Sequence, residues 1–336
     1  AAVDSASAVA GVLRCLELCA AELQEEHVTD ALRSLMPLLL RLVVGPRVQA
    51  RRERARAVRV LNKLLERVAT VCVDQGSVRR LQRGYLKEWA GTALRTLMSS
   101  ASDASDAGLT DCSLELALLR LVRLLIVSLP RALDEHVDGL LPPIGALLLR
   151  AVRALELESR LCEPAAAGGA TAAGAAAYDS DGGALGVAAL VSGVLDVLSA
   201  LAASSRFYRR LLPVLPDVTH AAIALMRIPP DTESEWASDL SQYLHDEDPD
   251  SFSVSPRIAA QQLIDELLDA YGKKALPPLL QAVGARMDES GAMRAQQLAG
   301  HWWRLREGAL LTISLAAPVL GEAARIALKK GTPPPM

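Results

Sequence analysis

Apolar residues return at intervals of three and four along almost the whole chain, and turns rather than alternating strand patterns separate these runs. Side chains spaced i, i+3, i+4 and i+7 share one face of an α-helix, so the pattern restricts the chain to packed helices. Val58, Leu61, Leu64, Leu65 and Val68 show it clearly, in a run that opens with Pro46 at a helix start. Composition agrees with this. The strong helix formers Ala, Leu and Arg outnumber Val, Ile and Thr, and aromatic residues make up only 3%. A hydrophobic fraction of 51% supplies the apolar surface that a folded core needs.

The periodicity predicts helices over 7–23, 28–44, 46–73, 77–98, 114–129, 137–155, 185–203, 207–228, 233–244, 256–271, 274–287, 295–316 and 320–328. Thr110 or Asp111 is placed to cap the helix that follows, Pro130 ends that helix, and Pro142-Pro143 kinks or restarts the next. Helical pairs recur at roughly forty to fifty residues, the period of HEAT and armadillo repeats. A single core built from all these helices would be large, whereas a stack of repeats grows without that limit. The expected fold is therefore all-α: a HEAT-repeat α-solenoid, a right-handed superhelix of antiparallel helix pairs. Repeats are expected over 1–162 and 185–330. Between them, EPAAAGGATAAGAAAYDSDGG has no large aliphatic residue, and 163–184 reads as a low-complexity flexible insertion. Residues 331–336 read as a disordered tail. The chain begins without Met or a signal-peptide layout, which reads as a piece of a longer protein.

No catalytic constellation appears. Gly272-Lys273-Lys274 lacks the upstream glycine and following hydroxyl residue of a phosphate-binding loop. His27, His136, His220, His245 and His301 are scattered, and no Ser stands in a nucleophile-elbow setting. No enzyme activity, metal or cofactor is expected. Cys15 and Cys19 share a helical face and read as small buried residues, since no second ligand pair accompanies them. Five cysteines without disulfide-like spacing point to reduced thiols and an intracellular setting. The apolar run 184–203 is about long enough to cross a bilayer. It lacks a clear pair of flanking anchors and reads as a core helix, with Asp196 at its solvent edge.

Two charged stretches remain. RVQARRERARAVR, 47–59, carries Arg51, Arg52, Arg54, Arg56 and Arg59 against Glu53 alone. It is either a nucleic-acid patch or a solvated helix face, and it lacks the interleaved aromatics of the former. DTESEWASDLSQYLHDEDPD, 231–250, carries Asp231, Glu233, Glu235, Asp239, Asp246, Glu247, Asp248 and Asp250, with no Lys or Arg. It is either a solvated acidic helix end or a surface whose potential attracts basic partners.

The stretch EWASDLSQYLHDEDPDSFSVSPRIAAQQLIDELLDAYGKKALPPLLQAV, with HWWRLREGALLTI after it, resembles the importin-β (karyopherin) superfamily of nuclear transport receptors. Trp236, Asp239, Tyr243, the acids from Asp246 to Asp250, Phe252, Arg257 and Leu263 carry the resemblance, together with Trp302 and Trp303. It implies a HEAT solenoid that shuttles between cytoplasm and nucleus. The implied partners are basic cargo such as core histone dimers and ribosomal proteins, the Ran GTPase in its GTP form, and nucleoporin repeats. Membrane insertion and direct nucleic-acid binding are not expected. On this reading Asp246, Glu247, Asp248 and Asp250 contact cargo or Ran, with Asp239 and Glu235 as second choices. Trp236, Tyr243, Phe252, Trp302 and Trp303 read as packing residues, and Arg257 as a structural partner of the acidic turn. The arginine-rich helix would repel histones from a concave face, so it is expected to point outward or to meet acidic partners. A HEAT or armadillo scaffold of another complex, and a nucleic-acid-binding repeat using 47–59, remain open alternatives.

Overall fold

The computed structural model describes residues 2–44, 51–71, 86–102, 111–161, 185–246, 255–296 and 302–330. The expectations for 163–184 and 331–336, and for Glu247, Asp248, Asp250 and Phe252, lie outside them. Among the described residues the regular structure is helical and none of it is strand. The chain is all-α, built from HEAT-like stacked helices. It divides into two compact units, Ala1–Leu147 with Ala176–Gly186, and Leu148–Ala175 with Val187–Met336.

The first unit is organised by its most arginine-rich helix. Helices α1 (Ala2–Ala21), α2 (Glu25–Val44) and α5 (Ser113–Ser128) all pack on α3 (Arg51–Val71), and α4 (Lys87–Ser102) packs on α2 and α5. One face of α3 buries Val58, Leu61, Leu64, Leu65 and Val68, the stripe visible in the sequence. Its arginines point at the ends and edges of the neighbours. Arg54 donates to the Val43 carbonyl (2.9 Å) and Arg56 to that of Ala10 (2.9 Å), while Arg67 reaches the Leu23 carbonyl between α1 and α2. Arg51 bonds Glu115, which is fully buried, and Arg52 bonds Asp111 at 3.0 Å. Arg59 lies 3.8 Å from Glu17. The helix thus meets acidic partners, as expected, and those partners belong to its own unit.

The cap position of α5 is Cys112, which makes no side-chain cap bond, rather than Asp111. Asp111 sits one residue further out, where its Oδ1 accepts from the Ser113 amide at 3.0 Å. Burial alone would raise its carboxyl, but the bonds from Ser113 and the guanidinium of Arg52 outweigh that and hold it below its ordinary value.

In the second unit α7 (Val187–Ala203) packs on α12 (Pro256–Tyr271). Helix α12 also meets α9 (Leu215–Leu225) and α14 (Trp302–Lys330), and α13 (Leu276–Ala295) lies against α9 and α14. Helices α13 and α14 must run antiparallel. At about 1.5 Å per residue α13 is about 30 Å long, which the six residues after it cannot retrace. Ile223, Ala282, Val283 and Ala309 form a buried cluster here, joined by Met287 and Ile313. Small residues let the backbones approach closely. A Cβ on Gly308 would lie 3.3 Å from the Ile223 carbonyl oxygen and 3.3 Å from the Met226 Cβ.

Several expected boundaries shift, each for a local reason. Helix α6 (Leu141–Leu161) starts later than expected, with Pro142 and Pro143 in its first turn and a 3-10 turn at Val137–Gly139 before it. That is the restart option, since proline lacks only a donor that a first turn leaves unpaired. The helix expected over 207–228 is broken into α8 (Tyr208–Leu211), a 3-10 turn at Leu212–Val214, and α9. Pro213 and Pro216 remove donors from successive turns. By contrast α14 runs unbroken through Pro318, where two helices were expected. Pro318 and Ser314 are both exposed, so the carbonyl that proline leaves unpaired can bond to water. Cys15 and Cys19 are exposed rather than buried, because the stripe of α1 that faces α3 is carried by Leu13, Glu17 and Ala20.

Within the apolar segment 184–203, Val187–Ala203 forms α7, with Asp196 exposed and Leu190, Val194 and Leu201 buried. One described helix, Trp302–Lys329, is long and apolar enough by composition to cross a membrane. Its charged Arg304 and Glu307 are paired with Glu233 and Arg257 of the same unit, as suits the layer of a helical stack.

Candidate functional site

The acidic segment folds into a short helical hairpin rather than the single helix expected over 233–244. Helix α10 (Pro230–Ser238) begins with Pro230 in its first turn. Asp239 then adopts an extended conformation (φ −137°, ψ 104°), and α11 (Leu240–Asp246) follows. The break has a side-chain cause. Asp239 Oδ1 accepts from the amides of Ser241 (2.8 Å) and Gln242 (3.4 Å), which caps α11, while its own amide closes α10 on the Glu235 carbonyl at 2.8 Å. Asp239 is thus a capping residue that remains exposed.

Asp246 clips the hairpin shut. One carboxylate oxygen accepts from Trp236 Nε1 at 3.0 Å, and the other from Gln242 Nε2 at 2.9 Å. The Trp236 and Tyr243 rings meet edge to face at 5.0 Å, the contact expected of packing residues. Trp236 is half-buried, whereas Tyr243 keeps an exposed face. A carboxylate with both oxygens held in this way is less free to grip a partner than one in open solvent. Glu235 is the opposite case: it is exposed, and its side chain has no bonded partner among the described residues. The structure therefore brings Glu235, Asp239 and Asp246 onto one hairpin in different roles.

One flanking contact ties this hairpin to α14. Glu233 pairs with Arg304, whose guanidinium also stacks 5.6 Å from the Trp303 ring. Arg294 lies 4.9 Å over Trp302, and the Ser290 hydroxyl bonds the Trp302 carbonyl at 2.8 Å. The two tryptophans are half-buried, used as platforms for arginine. Further along the chain, Ser255 caps α12 by accepting from the Ile258 amide at 3.1 Å. Arg257 is buried and grips Glu307 with both guanidinium nitrogens (2.9 and 2.8 Å) while bonding the Met226 carbonyl. It is structural, as expected, but the carboxylate it is seen to hold is Glu307's.

The sequence reading missed an apolar component. Leu240 is 70% exposed and Leu244 62%, and with Tyr243 they line α11 beside the acids. Helical spacing had counted 233–244 as one continuous helix. The signal available was Asp239 itself, since an Asp two residues before Ser241 competes for the backbone and favours a new cap over a continuous helix. Among the described residues no group of three or more His, Cys, Asp or Glu is arranged to hold a metal ion.

No family model matches the chain. It is similar to Importin-9 of Drosophila melanogaster, 17% identical over 288 residues that cover 85% of this chain and 27% of that protein. The relationship supported is importin-β-like. The chain thus spans about a quarter of its relative's length. The aligned length far exceeds the stretch from Glu235 to Ile313, so the similarity also reaches into the helices before Pro230.

Proposed function

We propose that this chain is part of a nuclear import receptor and that it receives basic protein cargo on the hairpin α10–α11 and the acidic turn that follows. The observation that carries the reading is this hairpin: from Asp231 to Asp250 there is no Lys or Arg, and Glu235 and Asp239 are exposed on it. A surface of one sign raises the local concentration of oppositely charged partners and speeds their encounter. Similarity to Importin-9 supports the transport setting. Core histone dimers and ribosomal proteins are the cargo class, since their Lys and Arg would otherwise bind nucleic acid non-specifically. Glu247, Asp248 and Asp250 extend the same surface on this reading, and Asp246 acts by holding it in shape. Arg51, Arg52, Arg54, Arg56 and Arg59 of α3 each have a partner within their own unit, which favours this reading over a nucleic-acid one.

Release of cargo by the GTP form of Ran is the second part of the proposal. It requires the two ligands to weaken each other's binding, through overlapping or coupled sites. A titration of the chain with a purified histone dimer, repeated with Ran loaded with a non-hydrolysable GTP analogue, tests this at near-physiological salt. Bound dimer should fall as Ran rises. Dimer retained undiminished at saturating Ran would remove Ran from this account.

A further inference from the structure

We infer that a cavity between α8 and the turn joining α12 to α13 binds a phosphate monoester borne on a side chain of a partner protein. The site lies apart from the acidic hairpin and does not depend on the reading of it.

The cavity has a volume of about 240 Å³ and is lined by Tyr208, Arg209, Leu212, Ala270, Tyr271 and Lys274. Two cations stand in that lining and no carboxylate does. Arg209 donates through Nε to the Tyr208 hydroxyl at 3.1 Å and lies 5.7 Å from the centre of the Tyr208 ring. Its two terminal nitrogens have no bonded partner among the described residues. Of the adjacent lysines, Lys273 is within 3.9 Å of Glu322, while Lys274, in the lining, has no ion-pair partner among the described residues. Asp269, on α12 beside Ala270, is the nearest acid in sequence and is not in the lining.

The tyrosines complete the cradle. The Tyr271 hydroxyl donates to the Tyr208 carbonyl, and the rings sit 5.8 Å apart, which fixes one wall. Burial pushes the Tyr271 phenol up to about 12, so this wall stays neutral. The Tyr208 hydroxyl accepts from Arg209 and so has its own proton to donate. Arg209, and Lys274 beyond it, hold that phenol below its ordinary value, as a positive local potential should. Gly272 makes the turn possible, because its φ of 53° closes α12 in a conformation other residues rarely adopt.

Charge matching selects the ligand. A phosphate monoester carries about −1.5 to −2 at pH 7 and offers three acceptor oxygens, which suits two cations and a phenolic donor. A carboxylate or a phosphodiester brings a single charge and would leave one cation unmatched. Leu212 and Ala270 add an apolar wall for the stem of a side chain. A polynucleotide would need a continuous basic track, which a single cavity is not.

Fluorescence anisotropy with a labelled peptide carrying one phosphoserine tests the site on the full chain. The arms are the unphosphorylated peptide, its Glu counterpart and a single-stranded oligonucleotide. The phosphopeptide should bind at least about tenfold more tightly than either peptide control, and Arg209→Ala with Lys274→Ala should abolish that preference. Both side chains are exposed, and circular dichroism checks that the variant keeps its helices. Tyr208→Phe, which removes only the donor, should weaken the phosphopeptide and leave the controls unchanged. Equal binding of phosphorylated and unphosphorylated peptide overturns the proposal, as does a preference that survives in the double variant. Oligonucleotide binding that displaces the phosphopeptide and is lost in the same variant would assign the cavity to nucleic acid instead.

Discussion

Arg257 is 7% exposed, and its guanidinium meets a carboxylate head on while also bonding a backbone carbonyl. Such a group stabilises only as a pair, because either charge left alone keeps its desolvation cost. Arg257→Met should lower stability by about 2–3 kcal/mol, somewhat under the full penalty for a buried pair, since Glu307 retains 31% exposure. Adding Glu307→Leu should recover most of that loss. Urea unfolding followed by circular dichroism measures both, and a double variant no more stable than the single one would contradict this account. The arginines of α3 show the limit of sequence reading at this scale. Arg51 and Glu115 are 64 residues apart, and Arg52 and Asp111 are 59 apart. Nothing in local spacing could reveal that two arginines of a basic run meet acids on, and just before, a helix that packs against it. Whether a run of charge faces water is a tertiary fact.

The elements were legible where the apolar stripe is long. Helices α2, α3, α7 and α12 lie close to where periodicity put them. Breaks were harder, because proline acts by position. Pro213 and Pro216 interrupt a helix in successive turns, while Pro37 and Pro318 sit inside helices on exposed faces. Asp239 splits the acidic segment through a cap, which a hydrophobic pattern does not register. Glycine makes a matching contrast within α14. Gly308 faces backbone at 3.3 Å, whereas a Cβ on Gly321 would meet nothing within 4 Å. Gly321→Ala should stabilise by about 0.5–1 kcal/mol through helix propensity alone. Gly308→Ala should destabilise by about 1 kcal/mol or more, since the atoms it meets include main chain that cannot turn aside. Thermal unfolding of the two variants distinguishes them, and equal shifts of Tm would refute the close packing of α14 on α9.

At the scale of the chain, a net charge of −3 conceals strong segregation. The acids cluster on α10 and α11, while Arg227, Arg257, Arg286 and Arg304 of the second unit pair with carboxylates and Arg294 stacks on Trp302. The acidic surface was legible as a run of Asp and Glu with no counter-charge. Its internal division of labour was not: only geometry separates Asp246, which holds the hairpin, from Glu235, which faces solvent. That division sets the most direct test of cargo capture. Anisotropy of a labelled histone dimer should be titrated with the wild-type chain and with a variant carrying Glu235→Gln, Glu247→Gln, Asp248→Asn and Asp250→Asn, leaving Asp246 to keep the fold. The account predicts about a tenfold loss of affinity in the variant, with a shallower dependence on salt. Equal affinity for the two proteins at both salt concentrations, or no binding by folded wild-type chain, would contradict it.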